Sequence, residues 1–458
     1  MTPRDYTIVG AGLVGSLLAT LLAQAGCRVQ VYEKRPDPRR AGFAGGRSIN
    51  LALSERGIQA LRGAGLAEQV LAQAVMMRGR MVHCRDGGMD LQAYGVDDHE
   101  VNWSVSRGGL NMQLLDAAEA AGARIDFGRA LVDADFAAGT LTLADGDDAR
   151  NVVAAGIVLG ADGAGSALRA AMDRVEPLGE RVEPLGHGYK ELEIPAASTN
   201  PDSDFFERFS LEPYALHIWP RGRYMCIALP NNEGSFTVTL FLPKAGPGPN
   251  FAALTDARAA RAFFQRDFAD VLALMPGFDA DFDEHPVGNL ATLYLDRWHL
   301  AGKALLLGDA AHAIVPFHGQ GMNAGFEDAA ELAPLLAQAD VDTATAFARF
   351  QAERKPNTDA IAAMALENYV EMRDAVVDPH YLQKRALAHA LSTSEPRWLM
   401  PRYRLVTFTR LPYAWCLERG RAQNALLEEL LQGHASADDV DLDAAIHTLK
   451  QRLPPLPA

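Results

Sequence analysis

Residues 6–15 read Tyr6-Thr-Ile-Val-Gly10-Ala-Gly12-Leu-Val-Gly15, an apolar strand that runs straight into a G-x-G-x-x-G turn. The apolar run from Leu13 to Ala25 predicts a helix, which stops at Gly26. Residues Arg28 to Tyr32 then predict a second strand, which delivers Glu33. Strand, glycine turn, helix, strand and acid follow one another within about 30 residues, the order found in dinucleotide-binding domains. The sequence therefore predicts a Rossmann-type nucleotide site at its start.

Each position of this turn has a physical reason. Gly10 permits the tight turn, Gly12 lets the backbone approach a pyrophosphate, and Gly15 lets helix and strand pack closely. Leu13 and Val14 begin the helix, whose unpaired amides and positive dipole end suit a phosphate. We therefore expect these five residues to lie against the nucleotide.

Glu33 and a later motif narrow the choice of nucleotide. A carboxylate at Glu33 can accept hydrogen bonds from two ribose hydroxyls and disfavours a 2′-phosphate, so the turn predicts FAD or NAD. Asp309 follows a second buried apolar strand, where it can reach a ribityl hydroxyl. The amides of Gly321, Met322 and Asn323, at a predicted helix start, can face a pyrophosphate or a reduced flavin. Together these signals favour FAD.

Composition excludes several classes of protein. The 458 residues predict two or three domains, and a formal net charge of −15 argues against a nucleic-acid partner. No apolar run approaches the roughly 20 residues that cross a bilayer, and the chain opens directly into a strand, with no room for a signal peptide. The four cysteines form no C-x-x-C pair, so neither a metal site nor a disulfide framework is expected. A soluble cytoplasmic enzyme fits best.

Three motifs in this order resemble the aromatic hydroxylase class of FAD-dependent monooxygenases. They are the glycine turn with Glu33, Gly160-Ala-Asp162-Gly163, and Leu306-Leu-Gly308-Asp309-Ala-Ala-His312. Within that class the chain is similar to the kynurenine 3-monooxygenase family, over essentially its whole length. Four stretches carry this narrower resemblance: Gly46-Arg47-Ser-Ile-Asn-Leu-Ala-Leu-Ser-Glu-Arg-Gly57, Met76-Met-Arg-Gly-Arg80-Met81, Pro316-Phe-His-Gly-Gln-Gly-Met-Asn323 and Glu367-Asn-Tyr-Val-Glu-Met372.

The resemblance adds three cofactor-binding residues. It implies that Arg47, in an extended segment, contacts the flavin, and that Arg107, at a helix start, lies beside the cofactor. Asp162, which closes an apolar strand, is the third. From the residues alone, Arg107 is equally a solvated helix-start arginine and Asp162 equally a turn residue.

A polar pair interrupts the apolar face of a predicted helix. Asn368, Glu371 and Met372 share this face at helical spacing with Ile361, Met364 and Ala365. Such a pair either reaches solvent at the edge or lines a cavity, and the residues alone favour solvent. The resemblance reverses this, because these three residues match substrate-pocket residues of the family.

Kynurenine is a zwitterionic amino acid on an aminobenzoyl ring, so its carboxylate needs a cation. The resemblance assigns this carboxylate to Arg80, with Tyr94 and Tyr403 beside it. On chemistry alone, a surface salt bridge for Arg80 and interface aromatics for the two tyrosines are the favoured explanations. The resemblance also implies that Phe317 and His318 sit between flavin and substrate ring, where His318 orients the ring amine or carbonyl, or merely caps the loop.

The implied activity is hydroxylation of L-kynurenine to 3-hydroxykynurenine in tryptophan degradation, with NADPH and dioxygen, through a flavin 4a-hydroperoxide. NADPH must bind transiently, because FAD uses the single dinucleotide fold. Two alternatives stay open: a monooxygenase of this class that acts on another aromatic acid, and a non-catalytic flavin-binding protein. A flavin-dependent halogenase would carry a W-x-W-x-I-P segment, which is absent from the sequence.

The expected fold class is α/β, in three parts. A Rossmann-type FAD-binding domain takes residues 1–75, 101–180 and 286–350. An antiparallel-sheet substrate domain takes 76–100 and 181–285, and it includes a hairpin around Asn231 to Gly234. Residues 351–458 form a C-terminal helical region.

Overall fold

A computed structural model describes residues 4–41, 50–145, 149–200, 202–338, 340–373 and 378–457. The chain divides into two compact units, each assembled from three separate segments. Unit 1 comprises Met1–Ala74, Trp103–Leu185 and Leu290–Ala362, and unit 2 comprises Val75–Asn102, Gly186–Asn289 and Ala363–Ala458. The C-terminal helices therefore group with the second sheet in unit 2.

The strands of the described residues are, in chain order, β1 Asp5–Val9, β2 Arg28–Glu33, β3 Asn50–Leu53, β4 Val75–Met77, β5 Gly79–His83, β6 Met89–Ala93, β7 Asn102–Ser106, β8 Arg124–Phe127, β9 Ala130–Asp135, β10 Thr140–Ala144, β11 Arg150–Ala154, β12 Ile157–Gly160, β13 Arg181–Ile194, β14 Ala215–Pro220, β15 Met225–Pro230, β16 Phe236–Pro243, β17 Gly288–Tyr294, β18 His299–Leu300 and β19 Ala304–Leu306.

The α-helices of the same residues are α1 Leu13–Gln24, α2 Pro38–Ala41, α3 Glu55–Gly63, α4 Ala67–Leu71, α5 Arg107–Ala120, α6 Ala167–Val175, α7 Ala257–Asp267, α8 Ala269–Leu272, α9 Phe278–Glu284, α10 Asp309–His312, α11 Gly321–Ala337, α12 Thr343–Arg373, α13 Pro379–Ser394, α14 Arg402–Phe408, α15 Tyr413–Leu431 and α16 Leu442–Arg452.

Unit 1 is built on a largely parallel sheet, ordered β18-β19-β12-β1-β2-β8. Strand β1 pairs in parallel with both β12 and β2, and β12 pairs in parallel with β19. Such central strands are buried on both faces and read as continuous apolar runs, as β1 and β12 do. Because parallel strands end on the same edge, the turns after β1, β12 and β19 meet there. Ala161 N donates to Val9 O at 2.8 Å, and Leu307 N donates to Gly160 O at 3.0 Å.

The core of unit 1 lies around this sheet. Helix α1 presents Leu17, Leu18 and Leu22 to it, all fully buried, and packs against α5 and α11. A separate antiparallel sheet, ordered β11-β10-β9, follows β8 in the chain. Burial of α1 against the parallel sheet holds the predicted nucleotide turn in place, because Gly12 stands immediately before that helix.

Unit 2 contains most of a second sheet, ordered β17-β13-β16-β15-β14-β5-β6. The predicted hairpin is confirmed: β15 and β16 are antiparallel, and Asn231 N donates to Ser235 O at 2.8 Å to close the turn. The expectation of an antiparallel sheet needs one correction, because β5 lies parallel to β14. The strands belong to distant parts of the chain, so no short turn forces them to run in opposite directions.

The core of unit 2 packs one face of this sheet against α7 and α9. Nearly half of its members are aromatic, among them Phe236, Phe264, Phe268 and Phe278, each fully buried. The C-terminal helices α13, α15 and α16 enclose a second, leucine-rich cluster. The helical character predicted from about residue 350 onward is confirmed.

Candidate active site

The three glycines of the first turn differ in the space that surrounds them. Gly10 has a φ of 98°, and a Cβ on it would lie 2.5 Å from the Ala161 carbonyl oxygen. A Cβ on Gly15 would lie 2.0 Å from the Gly10 carbonyl oxygen, so helix and turn could not stay packed. A Cβ on Gly12 would meet no atom of the described residues within 4 Å. The protein itself requires Gly10 and Gly15, whereas Gly12 leaves open space for a ligand.

Glu33 holds the turn from the next strand. Its Oε2 accepts from Ala11 N at 2.8 Å and its Oε1 accepts from Arg35 N at 2.9 Å. Each carboxylate oxygen keeps acceptor capacity for a ribose hydroxyl. Sequence reasoning missed Asn111 on α5, whose Nδ2 donates to Ala11 O at 3.0 Å and fixes the turn from the other side. Asn111 belongs to no motif, so only the fold shows its position.

Asp162 is engaged within the protein. Ser166 Oγ donates to its Oδ1 at 2.6 Å and Leu168 N donates to its Oδ2 at 3.1 Å. The carboxylate thus fastens the start of α6 to the end of β12, which gives the turn interpretation a definite geometry. The predicted contact between Asp162 and the cofactor stays a prediction.

Asp309 stands at the same sheet edge with its carboxylate exposed. The Asp309 carboxylate makes no hydrogen bond or ion pair with any other residue that the structure describes. The preceding Gly308 has a φ of 56°, and its amide donates to Asp328 Oδ2 at 2.9 Å. The turn is therefore held from below while the Asp309 side chain is left available to a ligand.

A buried ionic network lies behind this turn. The Asp328 carboxylate accepts hydrogen bonds from His312 Nε2 at 2.6 Å and from Arg354 Nε at 2.7 Å. Arg354 also donates to Glu327 at 2.6 Å. Arg56 on α3 donates to the second Glu327 oxygen at 2.7 Å. Burial raises the pKa of Asp328, but the charges of His312 and Arg354 outweigh it and lower that pKa to about 2. Sequence reasoning missed this network, because its members come from four separate elements.

Helix α11 begins beside the turn, at Gly321. The first-turn amides of an α-helix lack partners within the helix, so those of Gly321, Met322 and Asn323 are suited to an anion. The Asn323 side chain is used otherwise: Nδ2 donates to Ala52 O at 2.9 Å, and Oδ1 accepts from Ser54 N at 2.9 Å. Ser54 occupies the N-cap position of α3, but its side chain makes no capping hydrogen bond.

The other predicted cofactor residues are placed as follows. Leu13 and Val14 open α1 and are half-buried. A Cβ on Gly308 would lie 3.2 Å from Val14 Cγ2, so Val14 packs against the β19 turn. Arg107 is the exposed first residue of α5. Arg47 lies outside the described residues, and its role stays a prediction.

Four of the predicted substrate residues meet in unit 2. The Arg80 guanidinium carbon lies 4.8 Å from the Tyr403 ring centroid and 5.9 Å from that of Tyr94. The two tyrosine rings stack, with centroids 5.2 Å apart. Arg80 NH1 lies 3.4 Å from Glu371 Oε1. Burial lowers the pKa of Arg80, but Tyr403 and Glu371 outweigh it, so that pKa is raised and Arg80 stays charged. We refer to these four residues as the Arg80 box.

Residues outside the predicted set hold the Arg80 box in shape. Asn102 Nδ2 donates to the Tyr403 hydroxyl at 2.9 Å. Next to Tyr403 on α14, Arg404 forms a buried ion pair with Glu100, with its shortest contact at 2.7 Å. Burial raises the pKa of Tyr94 well above its ordinary value, so Tyr94 stays a neutral phenol. Asn102 and Glu100 carry no periodic signal and could not be found from the sequence.

Tyr381 on α13 is a further residue that the sequence did not indicate. Its hydroxyl donates to Glu371 Oε1 at 2.8 Å. Burial, and then the Glu371 carboxylate, raise the pKa of Tyr381, so it remains a hydrogen-bond donor. The side chain is half-buried.

The remaining predicted substrate residues are buried, at two places. On α12, Asn368 Nδ2 lies 3.4 Å from Met372 Sδ, one helical turn away. Phe317 and His318 belong to unit 1, where they occupy the 3₁₀ turn Pro316–His318 ahead of α11. Their predicted role towards the substrate ring stays a prediction.

A cavity of about 660 Å³ elsewhere in unit 2 contains none of the predicted residues. Arg85 and Arg266 line it, and both form ion pairs with the buried carboxylate of Asp267, at 3.4 and 2.7 Å. These cations are already neutralised in part, so we assign no ligand to this cavity.

Comparison with known proteins identifies the family. Residues 5–365 match the FAD binding domain family. The chain is 54% identical over 448 residues to kynurenine 3-monooxygenase of Stenotrophomonas maltophilia, covering 97% of this chain and 96% of that one. It is 53% identical over 457 residues to kynurenine 3-monooxygenase of Xanthomonas axonopodis pv. citri, covering 100% of this chain and 98% of that one.

The chain belongs to the kynurenine 3-monooxygenase family. As a member of this family it is an FAD-dependent monooxygenase. The predicted cofactor and enzyme class are thereby confirmed. In the described part of this family member, no helix is both long and apolar enough to cross a membrane.

Solved structures support the fold at lower identity. The tetrameric form of 2-methyl-3-hydroxypyridine-5-carboxylic acid oxygenase matches with a TM-score of 0.65 and 21% identity, covering 84% of this chain and 96% of that one. P. aeruginosa PqsL, in complex with 2-aminobenzoylacetate, matches with a TM-score of 0.63 and 22% identity, covering 81% and 97%. These likenesses confirm the α/β fold class of this kynurenine 3-monooxygenase family member.

Proposed function

We propose that the protein hydroxylates L-kynurenine to 3-hydroxykynurenine, with NADPH as reductant and dioxygen as oxidant. The observation that carries the proposal is the Arg80 box, in which one buried cation lies beside two stacked aromatic rings and faces one carboxylate. A carboxylate, an ammonium group and an aromatic ring are three of the groups that kynurenine presents. The curated relatives at over half identity are named for that substrate.

The residues present fit FAD. The open space over Gly12 admits a pyrophosphate, and the first turns of α1 and α11 present amides to it. We assign Glu33 to the ribose hydroxyls and the exposed Asp309 to the ribityl chain. Arg107, Asp162, Leu13 and Val14 complete the proposed set, with Arg47 added by family resemblance.

When bound and reduced, FAD supplies the activation of dioxygen. The protein positions the substrate and excludes water from the site. Arg80 binds the substrate carboxylate with two parallel hydrogen bonds, while the stacked rings of Tyr94 and Tyr403 pack beside the guanidinium. Asn368 and Met372 contribute buried surface that excludes water. Phe317 is added to the proposed substrate residues by family resemblance alone. His318 orients the ring amine or the carbonyl. The amine donates electrons to the neighbouring carbon, so orientation of the ring decides where the hydroxyl is placed.

The test is NADPH oxidation by the purified flavoprotein with and without L-kynurenine, with products identified by mass spectrometry. We expect a strong rise in oxidation and a product one oxygen atom heavier, hydroxylated beside the ring amine. Oxidation that ignores kynurenine would leave the fold and cofactor standing and contradict the substrate. In that case other aromatic acids are the next candidates.

A further inference from the structure

Tyr381 is fixed in place by its own helix. It lies in the first turn of α13, where Asp378 Oδ1 accepts from Tyr381 N at 2.9 Å and caps the helix start. From there the hydroxyl reaches back across to α12 and donates to Glu371 Oε1 at 2.8 Å. The hydrogen bond therefore joins two helices, and it sets which way the Glu371 carboxylate points.

The same Glu371 oxygen lies 3.4 Å from Arg80 NH1. This distance is long for a charge-assisted hydrogen bond, which is usually about 2.7–2.9 Å. Tyr381 thus makes the shorter bond to Glu371, while the bond to Arg80 is loose. A ligand carboxylate can replace Glu371 at Arg80 without breaking the contact between Tyr381 and Glu371.

We propose that Tyr381 positions Glu371 to bind the substrate α-ammonium group, and that this pair selects α-amino acids over aromatic carboxylates that lack the ammonium. The inference rests on the proposed function, since it takes Arg80 as the partner of the substrate carboxylate. Within that function, Tyr381 is a positioning residue and Glu371 is the residue that recognises the α-ammonium group.

Charge balance carries the selectivity. Arg80 and Glu371 carry one charge of each sign, and a zwitterion brings one of each, so every charge finds a partner when it binds. A ligand with only a carboxylate takes Arg80 away from Glu371, offers Glu371 no ammonium in return, and places a second negative charge beside it. The Glu371 side chain is 27% exposed, so solvent screens part of this penalty. We therefore expect a discrimination of about tenfold rather than several orders of magnitude.

Tyr381 contributes by restricting the Glu371 side chain. A free glutamate samples several rotamers, and fixing one of them costs conformational entropy at the moment of binding. The Tyr381 hydroxyl holds the carboxylate beforehand, so an arriving ammonium meets an acceptor already in place. Removal of the hydroxyl leaves the charge of Glu371 but loses its orientation.

The test compares two ligands by isothermal titration calorimetry on the FAD-loaded protein. One is L-kynurenine, and the other is 4-(2-aminophenyl)-4-oxobutanoic acid, which has the same ring, ketone and carboxylate but no α-amino group. The variants are Tyr381→Phe and Glu371→Gln. Tyr224→Phe is the matched control, because the Tyr224 hydroxyl also donates to a carboxylate of unit 2, Asp267 Oδ2 at 3.1 Å, outside the Arg80 box. FAD content and thermal melting establish that each variant is folded.

In wild-type protein and in Tyr224→Phe we expect L-kynurenine to bind about tenfold more tightly than the desamino acid. Glu371→Gln should abolish this preference, partly because this variant should bind the desamino acid more tightly than wild-type protein does. Tyr381→Phe should reduce the preference severalfold, because it should weaken the binding of L-kynurenine and leave that of the desamino acid unchanged. If Tyr381 had a merely structural role, Tyr381→Phe would weaken the binding of both ligands equally.

The failures can be told apart. Wild-type protein that ignores L-kynurenine, in binding and in NADPH oxidation, overturns the proposed function. Wild-type protein that binds L-kynurenine, with the same ratio of affinities in Tyr381→Phe and Glu371→Gln, overturns this inference and leaves the proposed function intact.

Discussion

At the residue scale, Gly12 and Gly15 lie three positions apart, and the same substitution should act on them through different properties. Gly15→Ala places a methyl group 2.0 Å from the Gly10 carbonyl oxygen, so the turn or the helix must move. We expect the apoprotein to lose about 3 kcal/mol of unfolding free energy. Gly12 has an extended backbone that alanine adopts without strain, and a Cβ there meets no described atom within 4 Å. Gly12→Ala should melt like wild type without FAD and bind FAD at least about tenfold more weakly.

Urea unfolding of the apoproteins and titration with FAD measure the two effects. An apoprotein of Gly12→Ala that is much less stable than wild type would show that the space over Gly12 is not open. Full FAD affinity in that variant would place the pyrophosphate elsewhere.

Arg80 is the second residue whose removal has a defined outcome. Arg80→Ala should raise the KM for L-kynurenine by about a hundredfold, since hydrogen bonds to charged groups contribute about 1.5–3 kcal/mol. The KM of Arg80→Lys should fall between those of wild type and Arg80→Ala, because lysine keeps the charge but not the planar guanidinium that forms two parallel hydrogen bonds. Steady-state kinetics provide the measurement. The control is Arg78→Ala, an exposed arginine two residues away whose guanidinium carbon lies 5.2 Å from the Tyr214 ring centroid. Equal effects at both positions would contradict a specific carboxylate contact.

How far single residues could be predicted depends on whether a motif contains them. Glycines of a turn follow from backbone geometry, so their physical roles could be stated from the sequence alone. Arg80 and Tyr94 come from a part of the chain distant from Glu371 and Tyr403, and only family resemblance placed the four together before the structure did. Tyr381 belongs to no motif, and its contact with Glu371 depends on how α13 begins.

At the element scale, the parallel sheet of unit 1 was predictable and the network that supports its loops was not. Apolar runs ending in glycine or aspartate mark β1, β12 and β19, and the parallel order brings their ends together. The ionic network around Asp328 draws on α3, α10, α11 and α12. Charged residues on helices usually face solvent, so the sequence offered no reason to bury these.

Asp328→Asn should lower the unfolding free energy at pH 7 by about 3 kcal/mol, because it removes one partner of a buried ion pair. The folded-state pKa of Asp328 is about 2, below the ordinary 3.8. Its contribution is therefore complete above about pH 4 and is lost as the pH falls from there towards 2. Urea unfolding from pH 7 down to pH 3 should show the gap between variant and wild type narrowing below pH 4. A gap that widens in acid would contradict the lowered pKa.

At the scale of the whole molecule, the proposed cofactor residues belong to unit 1, and the Arg80 box belongs to unit 2. We expect hydrogen–deuterium exchange to separate the two ligands accordingly. FAD should slow exchange in the turn after β1 and the start of α11. L-kynurenine, added to the FAD form, should further slow exchange in β5, the end of α12 and α14. At a hundred times its dissociation constant, each ligand should add about 2.7 kcal/mol of stability.

The β9-β10-β11 sheet is the internal control, because none of the proposed contact residues lies in it. Protection by L-kynurenine that omits β5 and α14 would contradict the Arg80 box as the substrate site. Equal slowing everywhere would report general stabilisation rather than contact.

The discontinuous build of unit 1 has a consequence for synthesis of the chain on the ribosome. Strand β19 pairs with β12, yet about 140 residues separate them along the chain. The proposed flavin site also draws on both the Gly10 turn and the start of α11, so it is incomplete until well over 300 residues have been made. Domains generally fold as units, and N-terminal ones fold first where the chain order allows. Here the first-made segment must wait for a late one, so nascent chains that stop after β16 should fail to retain flavin.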